Sequence, residues 1–294
     1  MCYILISMEK EELIKSVLGN DAHIIKQIMG GMMNESFLVQ ARKKQFIIYI
    51  PTVHANEMVN RYLERDNQRI AYNLGLTSKC YYFDPDKGIK INEYIPGQSL
   101  DQIEDYNLDR VAGLIKYLHN GPMRCQEDYR PFRRLLSYEK EAEGFSIKRN
   151  KHYLEMREKL FSYREYLESQ ELFPCHNDSQ RSNIVKDEIT GKYYLIDFEF
   201  MANNDPIYDI AAFGNNKVEE GRALLTAYFG GKETNDEIKR FYLWRLFISL
   251  QWHNVAIIKH YRGEGKAMKF DFLKVADFFL ENAKDAYKEV IKLK

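Results

Sequence analysis

Apolar and polar positions along the chain change period several times, and each change marks an element. Residues 8–19 carry helical spacing and stop at Gly19. Residues 24–28, 36–40 and 45–50 are short apolar runs that read as strands; the first two flank Gly30-Gly31, and Pro51 closes the third. Met58, Tyr62, Leu63, Ile70 and Leu74 then recur at helical spacing, predicting a helix with that face inward and Gly75 at its C-terminus. Two further strands, around 81–83 and 88–92, are joined by the turn Asp84-Pro85-Asp86-Lys87. Five strands and one helix in this order predict an antiparallel sheet forming a small lobe over residues 1–92. Residues 93–97 read as a connector. From 98 to 294 the pattern is mostly helical: Leu108, Val111, Ala112, Ile115 and Leu118 share a face, and helices follow at 133–148, 152–169, 217–229, 235–262 and 270–293.

Composition narrows the class. A chain of 294 residues with 45% hydrophobic content buries a substantial core and suits two lobes. Forty-three basic residues balance forty-three acidic ones, which argues against nucleic acid or an anionic membrane as partner. Four dispersed cysteines lack a C-x-x-C pair, and no apolar run reaches the length of a membrane span, so a cytoplasmic protein with reduced thiols is expected. His119, His152, His253 and His260 show no metal spacing.

Candidate chemistry sits at 176–200. His176-Asn177-Asp178 is followed by Asn183, and fourteen residues later by Asp197 in Ile196-Asp197-Phe198-Glu199-Phe200. H-x-D-x-x-x-x-N followed by D-F-x is the order in which kinases place a hydroxyl-orienting carboxylate and two magnesium ligands. Asp178 fits the first role, Asn183 and Asp197 fit the second because Mg²⁺ prefers oxygen donors, and His176 braces the loop. Residues 184–185 and 193–196 read as strands around the turn 187–192, a hairpin that sets Asn183 beside Asp197.

Here the chain resembles the choline/ethanolamine kinases, within the aminoglycoside-phosphotransferase-like kinases, and most of all their bacterial members. Pro174-Cys175-His176-Asn177-Asp178 matches the family's catalytic-loop opening; Ile196-Asp197-Phe198-Glu199-Phe200, with Phe where Tyr is usual, matches its signature, which continues through Asn203-Asn204-Asp205-Pro206 and Asp209-Ile210-Ala211-Ala212-Phe213. The resemblance implies an α+β protein-kinase-like bilobal fold and phosphorylation of a small amino alcohol, choline first, with ATP and Mg²⁺. Kinases for ethanolamine, thiamine or an aminoglycoside are the enzyme alternatives. For the nucleotide, Gly30, Gly31, Asn34 and Ser36 fit a phosphate loop, and the backbone around Glu93 and Ile95 fits the adenine. For an onium acceptor, which needs aromatic faces and carboxylates, the candidates are Glu199, Asp209, Tyr208, Trp252 and Trp244. Both tryptophans are equally natural core residues of a long helix. One position departs from the family: the Lys or Arg expected before Ile50-Pro51 is Tyr49. Glu64 would be the acidic partner of that missing cation, and Arg42, Lys43 and Lys44 are nearby basic groups. Tyr49 keeps a nucleotide-binding pseudokinase open as a non-enzyme alternative.

Overall fold

The computed structural model describes residues 2–28, 34–52, 59–265 and 270–293. The chain forms two compact units, one of residues 1–106 and 182–201 and the other of 107–181 and 202–294. This division differs from the boundary expected near residues 92–98. The catalytic hairpin belongs with the sheet-bearing unit and not with the helices that flank it in sequence.

The first unit opens with helix α1 (Cys2–Leu18) and a five-stranded antiparallel sheet in the order β1 (His23–Ile28), β2 (Asn34–Ala41), β3 (Lys44–Pro51), β5 (Ile89–Glu93), β4 (Cys80–Asp84). Ile14 and Leu18 of α1 pack on Phe37, Val39, Phe46, Ile48 and Ile91 of the sheet. Because side chains alternate along a strand, this assigns Phe46, Ile48 and Ile91 to one face and Tyr49 and Lys90 to the other. Tyr49 and Lys90 are direct cross-strand partners in the β3–β5 register.

Helix α2 (Arg61–Asn73) begins at Asn60, whose side chain accepts from the Leu63 N–H. The predicted apolar face is not the one it buries: Tyr62 is exposed, Leu63 and Ile70 are half-buried, and the buried stripe is Arg61, Glu64, Asn67, Gln68 and Ala71. Met58 lies outside the described residues, as do Gly30 and Gly31. The stripe is buried with partners for its charges: Arg61 pairs with Glu64, Glu64 with Lys90, and Asn67 donates to the Met201 carbonyl at 2.7 Å.

A second, three-stranded sheet completes this unit: β6 (Gly97–Ser99) pairs with β8 (Ile184–Asp187), which pairs with β9 (Tyr193–Leu195). The connector thus continues directly into a strand laid against the catalytic hairpin. Gly97 is required there, since a Cβ would collide with the Lys186 carbonyl oxygen.

The second unit holds helices α3 (Leu108–His119), α4 (Pro131–Glu143), α5 (Lys151–Phe161), α6 (Arg164–Glu168), α7 (Pro206–Phe213), α8 (Val218–Phe229), α9 (Asn235–Tyr261) and α10 (Phe272–Lys292), with the short pair β7 (Phe173–Cys175) and β10 (Ala202–Asn204). Helix α9 starts with a reciprocal capping box between Thr234 and Glu237 and buries residues all around its middle, which makes it the central helix. No helix among the described residues is long and apolar enough to cross a membrane.

Trp244 on α9 is 1% exposed, meets Tyr208 edge-on at 5.2 Å, and donates its indole N–H to Asp205 Oδ2 at 2.7 Å. Asp205 in turn caps α7 by accepting from the Ile207 N–H. Trp252 is half-buried and stacks on Phe279 of α10 at 5.9 Å. Trp244→Phe is therefore expected to lower unfolding free energy by about 1–3 kcal/mol, because a buried carboxylate loses a donor. Trp252→Phe, which keeps the stack, should cost under about 1 kcal/mol. Urea denaturation of both variants checks this, and equal losses would contradict it.

Candidate active site

The candidate residues fall into two sets, and each is described within its own unit. In the first unit the β8–β9 hairpin forms as the sequence predicts, with Ile184 opposite Leu195 and Lys186 opposite Tyr193. Asp187 holds the turn by accepting from the Ile189 and Thr190 N–H groups at 2.8 and 3.1 Å. One step beyond the last pair, the Ile196 N–H donates to the Asn183 carbonyl at 3.0 Å. Asn183 and Asp197 therefore project from adjacent strand ends.

Asp197 has φ +66°, a left-handed backbone that non-glycine residues seldom adopt, and such strain collects where function dictates geometry. Its side chain is 28% exposed, and Oδ1 lies 3.2 Å from the Lys90 ammonium. Lys90 Nζ is also 2.5 Å from Glu64 Oε1, while Glu64 Oε2 is 2.5 Å from Arg61 and Arg61 is 3.4 Å from Glu199. Five charged groups thus form one chain of ion pairs, with four of the side chains no more than 4% exposed.

Burial opposes the charge of Lys90, but the Glu64 and Asp197 carboxylates outweigh it and hold the ammonium above the usual lysine value. Burial, with the Asp197 and Glu64 charges beside it, pushes the Glu199 carboxyl well above the carboxylate range despite Lys90 and Arg61. With Glu199 pushed toward its neutral form, the Glu64 and Asp197 carboxylates balance Lys90 and Arg61, and Asp197 is the member most open to solvent. Oxygen donors at Asp197 and Asn183 fit a hard divalent cation.

In the second unit the loop Cys175–Ser179 is organised by Asp209. This residue is fully buried at the start of α7. Its Oδ2 accepts from the His176 N–H at 2.8 Å and lies 3.0 Å from His119 Nε2; its Oδ1 accepts from the Asn177 N–H at 2.7 Å. Ser179 Oγ donates to the Asp209 carbonyl at 2.6 Å. Burial works strongly against ionisation here, yet His119, His176 and the backbone donor prevail and hold Asp209 below the usual carboxylate value. Asn177, at φ +62°, is fixed by its own amide to the Cys175 and Ala202 carbonyls and by Asn204. The half-buried Asp178 accepts from Gln180 at 2.6 Å; Gln180 accepts from Asn215, which is held by Arg245. Burial lowers the Arg245 guanidinium to about 10.

A profile of the family described as choline/ethanolamine kinase matches residues 25–221. The chain belongs to the choline/ethanolamine kinase family. It is similar to the LicA protein of Haemophilus influenzae, 27% identical over 195 residues that cover 62% of this chain and 55% of that one. The match thus spans little more than half of that relative. Among solved structures, choline kinase LicA from Streptococcus pneumoniae is 25% identical with a TM-score of 0.75, covering 97% of this chain and 99% of that one. A LicA structure in complex with AMP is 24% identical with a TM-score of 0.74, covering 98% of both chains. The fold is kinase-like, as it is across these relatives.

Several expected site residues have other duties in this family member. Asp209 gives both oxygens to the loop, and Tyr208 and Trp244 are core residues at 1% exposure. Trp252 faces Phe279, and Glu199 pairs with Arg61. His176 Nδ1 accepts from the Asp178 N–H at 3.3 Å. In the connector, the Glu93 N–H donates to Lys79 O and its carbonyl accepts from Ser78, whereas the Ile95 main chain has no hydrogen-bond partner among the described residues. In β2, Ser36 is buried and Asn34 half-buried, so Asn34 is the more accessible of the two. Of the basic groups on the β2–β3 turn, Lys44 pairs with Glu93 at 3.0 Å. Sequence reasoning missed Lys90, whose only trace was one cation in an apolar strand, and the Gln180-Asn215-Arg245 support, which left none.

Asp209→Asn removes the charge on which the loop depends and is expected to cost about 3 kcal/mol or more. The folded-state value is lower than the unfolded one, so the wild-type carboxylate stabilises fully above about pH 4 and less as pH falls through the folded value. The stability gap between the two proteins should therefore narrow below about pH 4, as read by denaturant unfolding across pH. A gap independent of pH would contradict the assignment.

Proposed function

We propose that this kinase transfers the γ-phosphoryl group of Mg²⁺-ATP to the hydroxyl of a small amino alcohol, choline first and ethanolamine second. The observation that carries the reading is the hairpin that sets Asn183 beside Asp197, with Lys90 and Glu64 paired behind Asp197. An ion pair between a lysine and a helix glutamate, next to a metal-binding aspartate, is the active arrangement of phosphoryl-transfer sites in kinases. Family membership and the similarity to a choline kinase favour an amino alcohol over thiamine or an aminoglycoside.

In this reading Asn183 and Asp197 would hold Mg²⁺, which when bound would neutralise charge on the phosphates. Asp178 accepts the acceptor's hydroxyl proton. The acceptor oxygen forms a bond to the γ-phosphorus, the bond from that phosphorus to the β–γ bridging oxygen breaks, and ADP leaves. The Gln180 contact fixes which way the Asp178 carboxylate points. Ile95 offers its main chain to the adenine, and Asn34 offers a donor to the phosphates.

An ADP-release assay over choline, ethanolamine, thiamine and aminoglycosides tests the acceptor; turnover with choline or ethanolamine is expected, and turnover with neither would overturn that part. Asp178→Ala should leave nucleotide binding nearly intact and lower kcat by about two to four orders of magnitude. Asp197→Ala should weaken Mg²⁺-nucleotide binding as well. Near-wild-type rates in both variants would remove the assignment.

A further inference from the structure

The residue that should hold the phosphates is missing from β3. Tyr49 stands in its place, and burial pushes its phenol up to about 12, so it brings no charge of either sign near neutrality. The β3–β5 register sets Lys90 directly opposite Tyr49. Residues so paired share a face and have Cβ atoms about 5 Å apart, a gap that a lysine's four-carbon stem spans easily.

The contacts of Lys90 match the missing role. Its ammonium is 2.5 Å from Glu64 on α2 and 3.2 Å from Asp197, the metal-binding candidate, and it lies 5.0 Å from the Tyr49 ring centroid. Glu64 is the partner that the sequence assigned to a cation on β3. Arg61 takes the other oxygen of Glu64 and leads away to Glu199. Lys90 touches both Glu64 and Asp197.

From the register and these distances we infer that the phosphate-anchoring cation has moved across one strand, from position 49 on β3 to Lys90 on β5. Building on the kinase reading above, Lys90 binds an oxygen of the nucleotide's α- or β-phosphate. Glu64 orients it, and the Tyr49 ring fills the vacated space as a cation–π floor. The two positions are a matched pair. A second cation at 49 would stand next to Lys90 with no further carboxylate to balance it, so Tyr49→Arg is expected to weaken nucleotide binding and not to restore it.

The test is nucleotide binding without acceptor, so that it is independent of choline turnover. Lys90→Met should raise the Kd for Mg²⁺-ATP and for ADP by about 10- to 100-fold, the usual effect of losing one charge-assisted hydrogen bond, and leave that for adenosine within about twofold. The exchange Tyr49→Lys with Lys90→Tyr should recover at least part of the loss. Because Lys90→Met leaves Glu64 short of a partner, Glu64→Gln with Lys90→Met is measured alongside, with melting temperature as the check on folding. Unchanged ATP affinity in a folded Lys90 variant overturns the inference, as does equal weakening for ATP and adenosine, or loss of ATP affinity in Arg61→Met but not in Lys90→Met. Wild-type protein that binds ATP through Lys90 but does not phosphorylate choline or ethanolamine would remove the acceptor assignment alone. Wild-type protein that binds no nucleotide would remove both.

Discussion

A buried charge must be paired or it destabilises the fold, and the first unit is arranged around five linked ionisable groups, four of them buried. Arg61, Glu64, Lys90, Asp197 and Glu199 come from one helix, one strand and the segment after the catalytic hairpin. Their pairing explains why α2 turns a polar stripe inward. It also explains why Asp197 is held in a left-handed conformation, which aims its carboxylate at Lys90. Apolar residues of similar volume at these positions would generally be at least as stable.

The second unit solves a related problem with one carboxylate. Asp209 gathers the N–H groups of His176 and Asn177 together with His119, and so determines the course of the loop that carries Asp178. The two residues with left-handed backbone nearest the motif, Asn177 and Asp197, are each held by polar contacts from within their own unit. Strain in both places is offset by hydrogen bonds and ion pairs, which is how rigid sites keep uncommon geometry.

Much of this was legible in the sequence, because the strands alternate or run apolar, the long helices repeat at 3.6 residues, and the motif from His176 to Asp197 combines residue types with spacing. The five strands of the first sheet, the hairpin, and helices α8, α9 and α10 follow from those signals. What escaped depends on contacts between distant segments. Lys90 was invisible as a site residue since strand register, and with it the pairing to Tyr49, is a tertiary property. The inward face of α2 was misread because paired charges in an interior look like a solvated face in sequence. Asp209, Tyr208 and Trp244 have the composition of an onium pocket, yet the same residue types serve a polar core around Asp205 and the catalytic loop. The catalytic hairpin was assigned to the helical lobe by its position in the chain, although its strands complete a sheet in the first unit.

The central claim is that the buried ion-pair cluster is the metal- and phosphate-binding half of a kinase site. A crystal structure of the protein with Mg²⁺ and a non-hydrolysable ATP analogue tests it most directly. The account predicts Mg²⁺ bound by Asp197 and Asn183, with the Lys90 ammonium within hydrogen-bonding distance of an α- or β-phosphate oxygen and still paired to Glu64. Phosphates held by a different cation, with Lys90 still enclosed between Glu64 and Asp197 and touching no nucleotide atom, would contradict it.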